Sequence, residues 1–280
     1  GRPGIAEATR RKILDAARKH GYTPNPAARE LMTGKSSCCG AVIPANSSVF
    51  FLDLFEELRK ALRKRGLSLL IAPAAGAEES SAALREMAAR RLRSIALVPP
   101  SDSYAIPSDI AKGRIFASLA SPCKGALYIA PDEVRTGHDG ASYLWSLGHR
   151  EIAYITYKRD AKAIRDRRQG YEDFLLSNGG KTLVAIQPSQ EEILALVQRG
   201  KASAILCHND WLALNCLRAF EKAGIKVPDE ISIMGVDDSP TFTALFPGLS
   251  TMAYPYASVA EAAASAMFGA TESLPEIEPF

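Results

Sequence analysis

From Ala41 onward, short runs of β-forming residues exchange with stretches whose apolar residues recur at helical spacing. The strand candidates are residues 41–43, 67–72, 95–98, 115–119, 127–129, 152–155, 183–186, 204–207 and 231–236. Between them, Phe51, Leu54, Phe55, Leu58, Ala61 and Leu62 fall on one helical face, and Leu212, Leu217, Phe220 and Ala223 on another. Strand–helix alternation predicts parallel sheets with helices on both faces. Nine strands are many for one open sheet, and a Gly148-His149 break lies near the middle of the core. Two similar α/β lobes facing a cleft are therefore expected, and 280 residues suffice for two cores. The longest apolar runs, residues 68–75 and 94–100, fall far short of the roughly 18 residues of a membrane span, so a soluble protein is expected.

Charge divides the chain unevenly. Residues 1–36 hold eight Lys/Arg against Glu7, Asp15 and Glu30, a segment charge of +5, whereas the whole chain carries only +3. Only the front end is suited to a polyanion. There, residues 6–19 place Ile13, Leu14 and Ala17 at helical spacing, and Gly21 follows as a C-terminal stop. Asn25-Pro26 then opens a second, eight-residue helical stretch that ends at Thr33-Gly34. So short a helix is unstable alone in water and should form on docking to a partner. Leu31 beside Arg29 suits insertion into a DNA groove.

Enzyme signatures are weak. Gly34-Lys35-Ser36 looks like the end of a phosphate-binding loop, but Arg29 stands where that loop needs its first Gly. Neither G-x-G-x-x-G nor G-x-S-x-G occurs. Cys207-His208-Asn209 has thiol-protease residue types, yet neighbours at a strand end point to opposite faces. The four His and five Cys lack metal-ligand spacing, so no metal site and no cofactor are expected. The odd, scattered Cys and the absence of a secretory pattern at the N-terminus fit a cytoplasmic setting.

Polar residues cluster instead at the carboxyl ends of the strand candidates, which line the ligand crevice of an open parallel sheet. Asn209 and Asp237 are ligand candidates, whereas Asp210 reads as a helix cap and Asp238 as an Asx-turn. In the first half, Asn46-Ser47-Ser48 precede Phe50 and Phe51, a combination suited to a sugar or a heterocycle. One of Arg165, Arg167 and Arg168 could face the cleft and bind bidentately.

The motifs Gly1-Arg2-Pro3-Gly4, Thr9-Arg10, residues 21–31, residues 147–153, Arg167 with Gly170-Tyr171, Asn209-Asp210 and residues 227–238 occur in one order along the chain. In these the sequence resembles the lactose-repressor and galactose-repressor family of bacterial transcription regulators. The resemblance implies a helical headpiece and hinge helix over residues 1–36. It further implies a two-lobed core like a periplasmic sugar-binding protein, one lobe 37–148 plus 252–270, the other 149–251 plus 271–280. It assigns effector contacts to Ser47, Phe50, Phe51, Asp132, Arg167, Asn209 and Asp237. Operator contacts would come from Arg2, Thr9, Tyr22, Asn25, Ala28, Arg29 and Leu31. Expected partners are a small effector, a sugar before a purine, operator DNA and a second copy of the chain, with no membrane.

Departures from the family pattern accompany this likeness. The recognition helix would lie before Gly1, and the end of the chain falls where a further strand is usual. Glu133 stands where Asn is common, and His138-Asp139 replace a basic–apolar pair. The rival readings are a sugar receptor of a transport system, a sugar- or nucleoside-acting enzyme using Asp132 and Asp237, and a cleft that binds a protein partner.

Overall fold

The computed structural model describes residues 6–22, 36–45 and 48–269. Contacts divide the chain into two compact units, Gly1–Ser37 and Cys38–Phe280. In the first unit, helix α1 (Glu7–Lys19) buries no residue, and Ile13 and Leu14 stand exposed among Arg10, Arg11, Lys12 and Arg18. Gly21 follows the helix at φ +63°, the left-handed turn expected of a residue just past a helix end.

The described residues of the second unit form ten strands in two sheets of five. The first sheet comprises β1 (Cys38–Pro44), β2 (Ser68–Ala74), β3 (Ser94–Leu97), β4 (Ile115–Leu119) and β5 (Leu127–Ile129). Their order is β2-β1-β3-β4-β5, all parallel. The second sheet comprises β6 (Ile152–Thr156), β7 (Leu183–Ile186), β8 (Ala204–Cys207), β9 (Ser232–Asp237) and β10 (Ser250–Ala253). It runs β7-β6-β8-β9-β10, again all parallel, so the two sheets repeat one topology. The two-lobed α/β expectation is met; β10, with its Ser-Thr-Met-Ala sequence and exposed edges, carries no β-rich signal and was not among the nine strand candidates.

Side-chain alternation distributes each strand over two cores. In β1, Ala41 and Ile43 pack beneath α2 (Val49–Lys64), whereas Val42 points to the opposite core with Leu84 and Met87 of α3 (Gly76–Ala89). The α2 face Leu54, Phe55, Leu58, Ala61 and Leu62 is buried as its spacing requires. A short helix, α4 (Ser108–Ala111), buries Ile110 in the second of these cores.

In the second sheet, α5 (Glu133–Ser146) and α6 (Lys162–Ser177) cover one face, with Leu144, Tyr171 and Leu175 against Tyr154 and Leu206. On the other face lie α7 (Gln190–Gln198) and α8 (Asp210–Ala223), with Ile193, Leu212 and Phe220. Ala223, expected on that apolar face, is exposed at the end of its helix. After the short α9 (Pro240–Leu245) and β10, α10 (Tyr256–Phe268) returns to the first sheet. Its buried Ala260, Ala262, Ala263, Ala264 and Ala266 allow it to lie close, and Ser94 Oγ donates to the Met267 carbonyl at 2.5 Å.

Two expected lobe boundaries shift. Residues 133–146 were placed in the first lobe, but α5 packs on α6 and the second sheet. Residues 252 and 253 belong to β10 in the second sheet, and the chain rejoins the first lobe only in α10. No described helix is long and apolar enough to cross a membrane.

Candidate functional site

The strands of both sheets end, at their carboxyl termini, on a cavity of about 290 Å³ between the lobes. The first lobe contributes Pro44 at the end of β1, Ser48, Phe50 and Phe51 at the start of α2, and Val98 and Ser121 after β3 and β4. Phe50 packs edge-on against Phe51 at 5.1 Å and against Tyr254 at 4.8 Å. Both Phe also touch the first lobe's core, so each is at once the first core residue of a helix and part of the cavity wall.

The second lobe contributes charge. Arg167 of α6 is 4% exposed, and Glu133 at the start of α5 is 5% exposed. Arg167 Nε and Nη2 both donate to Glu133 Oε2, at 2.8 and 2.5 Å, and Nη1 donates to the backbone oxygen of His208. Two glycines bring these residues together. A Cβ on Gly137 would stand 1.8 Å from the carbonyl oxygen of Arg167, and one on Gly170 1.8 Å from that of Val134. The α5–α6 crossing therefore needs hydrogen at both positions. Burial pushes the Glu133 carboxyl up, against the pull of the Arg167 charge.

Asp237 closes β9 at φ +124°, a backbone region that side-chain-bearing residues rarely adopt. It is 4% exposed, and burial raises its carboxyl well above the ordinary range despite Arg167 nearby. The residue lines the cavity wall. Asn209 was expected to bind a ligand and Asp210 to cap α8; the structure reverses the capping role. Asn209 Oδ1 accepts from Leu212 N at 3.1 Å and from Tyr157 OH at 3.0 Å, while its side chain still lines the cavity. Asp210 lies buried behind the wall and accepts from Thr251 Oγ1 and from Ser239 N. Burial raises it to about 6. Asp238 accepts from Thr243 Oγ1 rather than closing an Asx-turn.

His208 is buried, with Nδ1 3.1 Å from Tyr154 OH; burial, then Arg167, holds its imidazole well below the ordinary range. Its partners are a tyrosine and a main-chain contact, and no thiol relay forms with Cys207, whose Sγ faces Cys216 Sγ at 3.9 Å.

Phe50, Phe51, Asn209 and Asp237 thus meet at one cavity, as their positions after strand ends imply, and of the three arginines of α6 left open it is Arg167 that joins them. Asp132 does not join them. It is exposed and caps α5 by accepting from Arg135 N at 3.0 Å, and the adjacent Glu133 takes the inward position. The pairing of Asp132 with Asp237 across the cavity is therefore not formed. Ser47 lies outside the described residues, as do Arg2, Asn25, Ala28, Arg29 and Leu31, whereas Thr9 and Tyr22 are exposed in the first unit. Sequence reasoning overlooked Glu133, Tyr157 and Ser121 as wall residues. The glycine at position 137, four residues after Glu133, was the available signal for a helix crossing there.

A family profile described as a periplasmic binding protein-like domain matches residues 141–278. The HTH-type transcriptional regulator DegA of Bacillus subtilis is 26% identical over 90% of this chain and 79% of its own length. Among solved structures, the lac repressor dimer bound to operator and the anti-inducer ONPF superposes with TM-score 0.79 at 18% identity, over 96% of this chain and 86% of that one. A regulator from Alkaliphilus metalliredigens complexed with D-xylulofuranose superposes with TM-score 0.75 at 19% identity, over 87% of this chain and 95% of that one. The motif order, the repeated five-stranded sheets and these likenesses make the chain similar to bacterial transcription regulators of the lactose-repressor and galactose-repressor kind, whose two-lobed periplasmic-binding-protein-like fold it shares.

Proposed function

We propose that the interlobe cavity binds a sugar or sugar derivative and that occupancy alters operator affinity through residues 25–32. The observation that carries this reading is the meeting of the Phe50/Phe51 faces of one lobe with Arg167, Asn209 and Asp237 of the other at a single cavity. Aromatic faces cover the apolar side of a pyranose or furanose ring, and the polar groups fix its hydroxyls. A cavity of about 290 Å³ suits one monosaccharide-sized molecule. A ligand that touches both lobes favours one lobe arrangement, and so biases any equilibrium between arrangements.

In this reading the chain acts in the cytoplasm as a homodimer, catalyses no reaction, and contacts operator DNA through Arg2, Thr9, Tyr22, Asn25, Ala28, Arg29 and Leu31. A thermal-shift screen of monosaccharides, disaccharides, sugar phosphates and purines tests the cavity, with Asp237→Ala as control. A ligand at 100 times its Kd adds about 2.7 kcal/mol, several degrees of midpoint for a chain of this size. A shift present in the parent and lost in the variant supports the reading; a shift retained in Asp237→Ala places the ligand elsewhere. Spin labels at position 32 test the coupling, and an interlabel distance indifferent to a bound ligand would refute it.

A further inference from the structure

The cavity contains an internal neutralisation. Arg167 is the only buried cation at its wall among the described residues, and all three of its nitrogens already donate to the protein: Nε and Nη2 to Glu133, Nη1 to the His208 backbone. A guanidinium held this way has its charge balanced and its Nε/Nη2 edge occupied, leaving one N–H on each Nη. The other buried acid at the wall is Asp237, which forms no ion pair among the described residues. Asn209 has its oxygen engaged by Leu212 N and Tyr157 OH and keeps only its N–H groups for a ligand. Arg159 also lines the cavity, but it is exposed and its Nη2 donates to the Pro100 carbonyl at 3.3 Å, so its charge is screened by solvent at the rim.

The buried wall therefore offers no uncompensated cation: Glu133 balances the Arg167 charge, and among the described residues the second acid, Asp237, has no ion-pair partner of its own. A ligand that brings hydroxyl or ammonium groups can hydrogen-bond to the Asp237 carboxyl. A ligand bringing a phosphate or carboxylate buries a charge that no cation is left to balance, which is costly.

We infer that Glu133 sets effector class in this protein: by occupying Arg167, it restricts the cavity to uncharged or cationic polyols and amino-polyols and excludes their phosphorylated and carboxylated relatives. This rests on the reading of the cavity as a sugar site, and deepens it by naming the residue that selects on charge.

The test uses the full chain and two kinds of probe. In the first, pentoses and hexoses are titrated beside their phosphate esters, uronic acids and 2-amino derivatives. The parent protein is expected to bind an uncharged or amino member at least 100-fold more tightly than its anionic counterpart, and Glu133→Gln to narrow that ratio at least tenfold. Binding of a phosphate ester or uronate by the parent within tenfold of the uncharged sugar overturns the inference. In the second, inorganic phosphate is titrated against chloride at equal ionic strength, which needs no sugar. Glu133→Gln should gain a saturable phosphate-dependent rise in melting temperature, absent from the parent and from Glu133→Asp, which keeps the charge. A saturable rise in the parent, or none in folded Glu133→Gln, overturns it. Should Glu133→Gln fold too poorly to titrate, the parent's response to phosphate decides. If no sugar binds while the phosphate result holds, the sugar reading falls and the charge selection by Glu133 stands.

Discussion

The two lobes share one strand order and opposite interiors. In the first, the buried polar residues described are serines alone: Ser80, Ser94, Ser118 and Ser121. In the second they include Glu133, Arg167, His208, Asp210 and Asp237. Identical topology at the carboxyl ends of parallel strands thus presents an aromatic, apolar wall on one side and a charged wall on the other. The fold provides the crevice, and the residues placed at its rim provide the chemistry. Charge can be buried in the second lobe because α5 and α6 approach closely enough for Glu133 to reach Arg167, an approach that depends on Gly137 and Gly170.

The largest way to break this difference is to separate those helices. Gly137→Ala or Gly170→Ala places a Cβ 1.8 Å from a backbone oxygen, where no side-chain rotation relieves the clash. Each is expected to cost more than about 4 kcal/mol, among the exceptional values for a single substitution. In the first lobe, Gly40→Ala would meet the Met87 sulfur at 2.5 Å, the end of a flexible side chain. Its cost should stay near 1–2 kcal/mol. Urea denaturation of the three variants checks the contrast, and equal losses would mean that the crossing is not special.

Next comes the ion pair itself. Glu133→Gln leaves the Arg167 charge buried without its counter-charge and should cost about 3 kcal/mol. The double replacement Glu133→Leu/Arg167→Met removes both charges and should recover most of that loss, since a buried pair is often no better than apolar residues of similar size. A double variant as unstable as the single one would show that the pair contributes more than mutual neutralisation.

How much of this was legible in the sequence follows from the range of the forces involved. The strands and the buried face of α2 are written locally, as runs and periods, and Leu54, Phe55, Leu58 and Leu62 fall inside as their spacing requires. The cleft residues Asn209 and Asp237 are legible because strand ends converge in any such sheet, whereas Arg167, within α6, is set apart from Arg165 and Arg168 only by the family resemblance. Residue roles decided by single hydrogen bonds were not legible. Whether Asn209 or Asp210 caps α8 turns on one backbone angle, and whether Asp132 or Glu133 faces inward turns on where α5 begins. Nor was β10 legible, because its strand character comes from pairing with β9 and not from its own residues.

A titration separates the lobes on a smaller scale. Burial holds the Asp210 carboxyl at about 6, against an ordinary value of 3.8. Between those values the folded chain keeps a proton that the unfolded chain has released. Its contribution to stability is therefore complete below about pH 4 and is lost as the pH rises through 6. His208, held neutral by burial, acts in the other direction, losing stability as the pH falls below its ordinary 6.5. Comparing Asp210→Asn with the parent at each pH isolates the carboxyl. The variant should gain on the parent by about 1–2 kcal/mol between pH 4 and pH 7, with allowance for solvent screening. No change in the difference across that range would mean that Asp210 titrates normally.

The smallest effect is expected where the lobes meet at the surface. Arg165 of the second lobe reaches Asp102 of the first at 2.9 Å, but its side chain is half exposed and is shared with Asp160. On another interlobe contact, Ser239 Oγ donates to Asp53 Oδ2 at 2.5 Å with partial burial. Surface pairs seldom exceed 1 kcal/mol and weaken with salt, whereas a hydrogen bond to a charged, partly buried group contributes about 1.5–3 kcal/mol. Arg165→Ala should therefore lower stability by under about 1 kcal/mol, and by less in 1 M salt, where the screening length is about 3 Å. Asp53→Ala should lower it further, and by an amount that salt leaves nearly unchanged. If Arg165→Ala proved the costlier and salt-insensitive of the two, the lobes would be joined chiefly through the charged rim of the second lobe, and the contrast between an inert and a charged wall would extend to how they are held together.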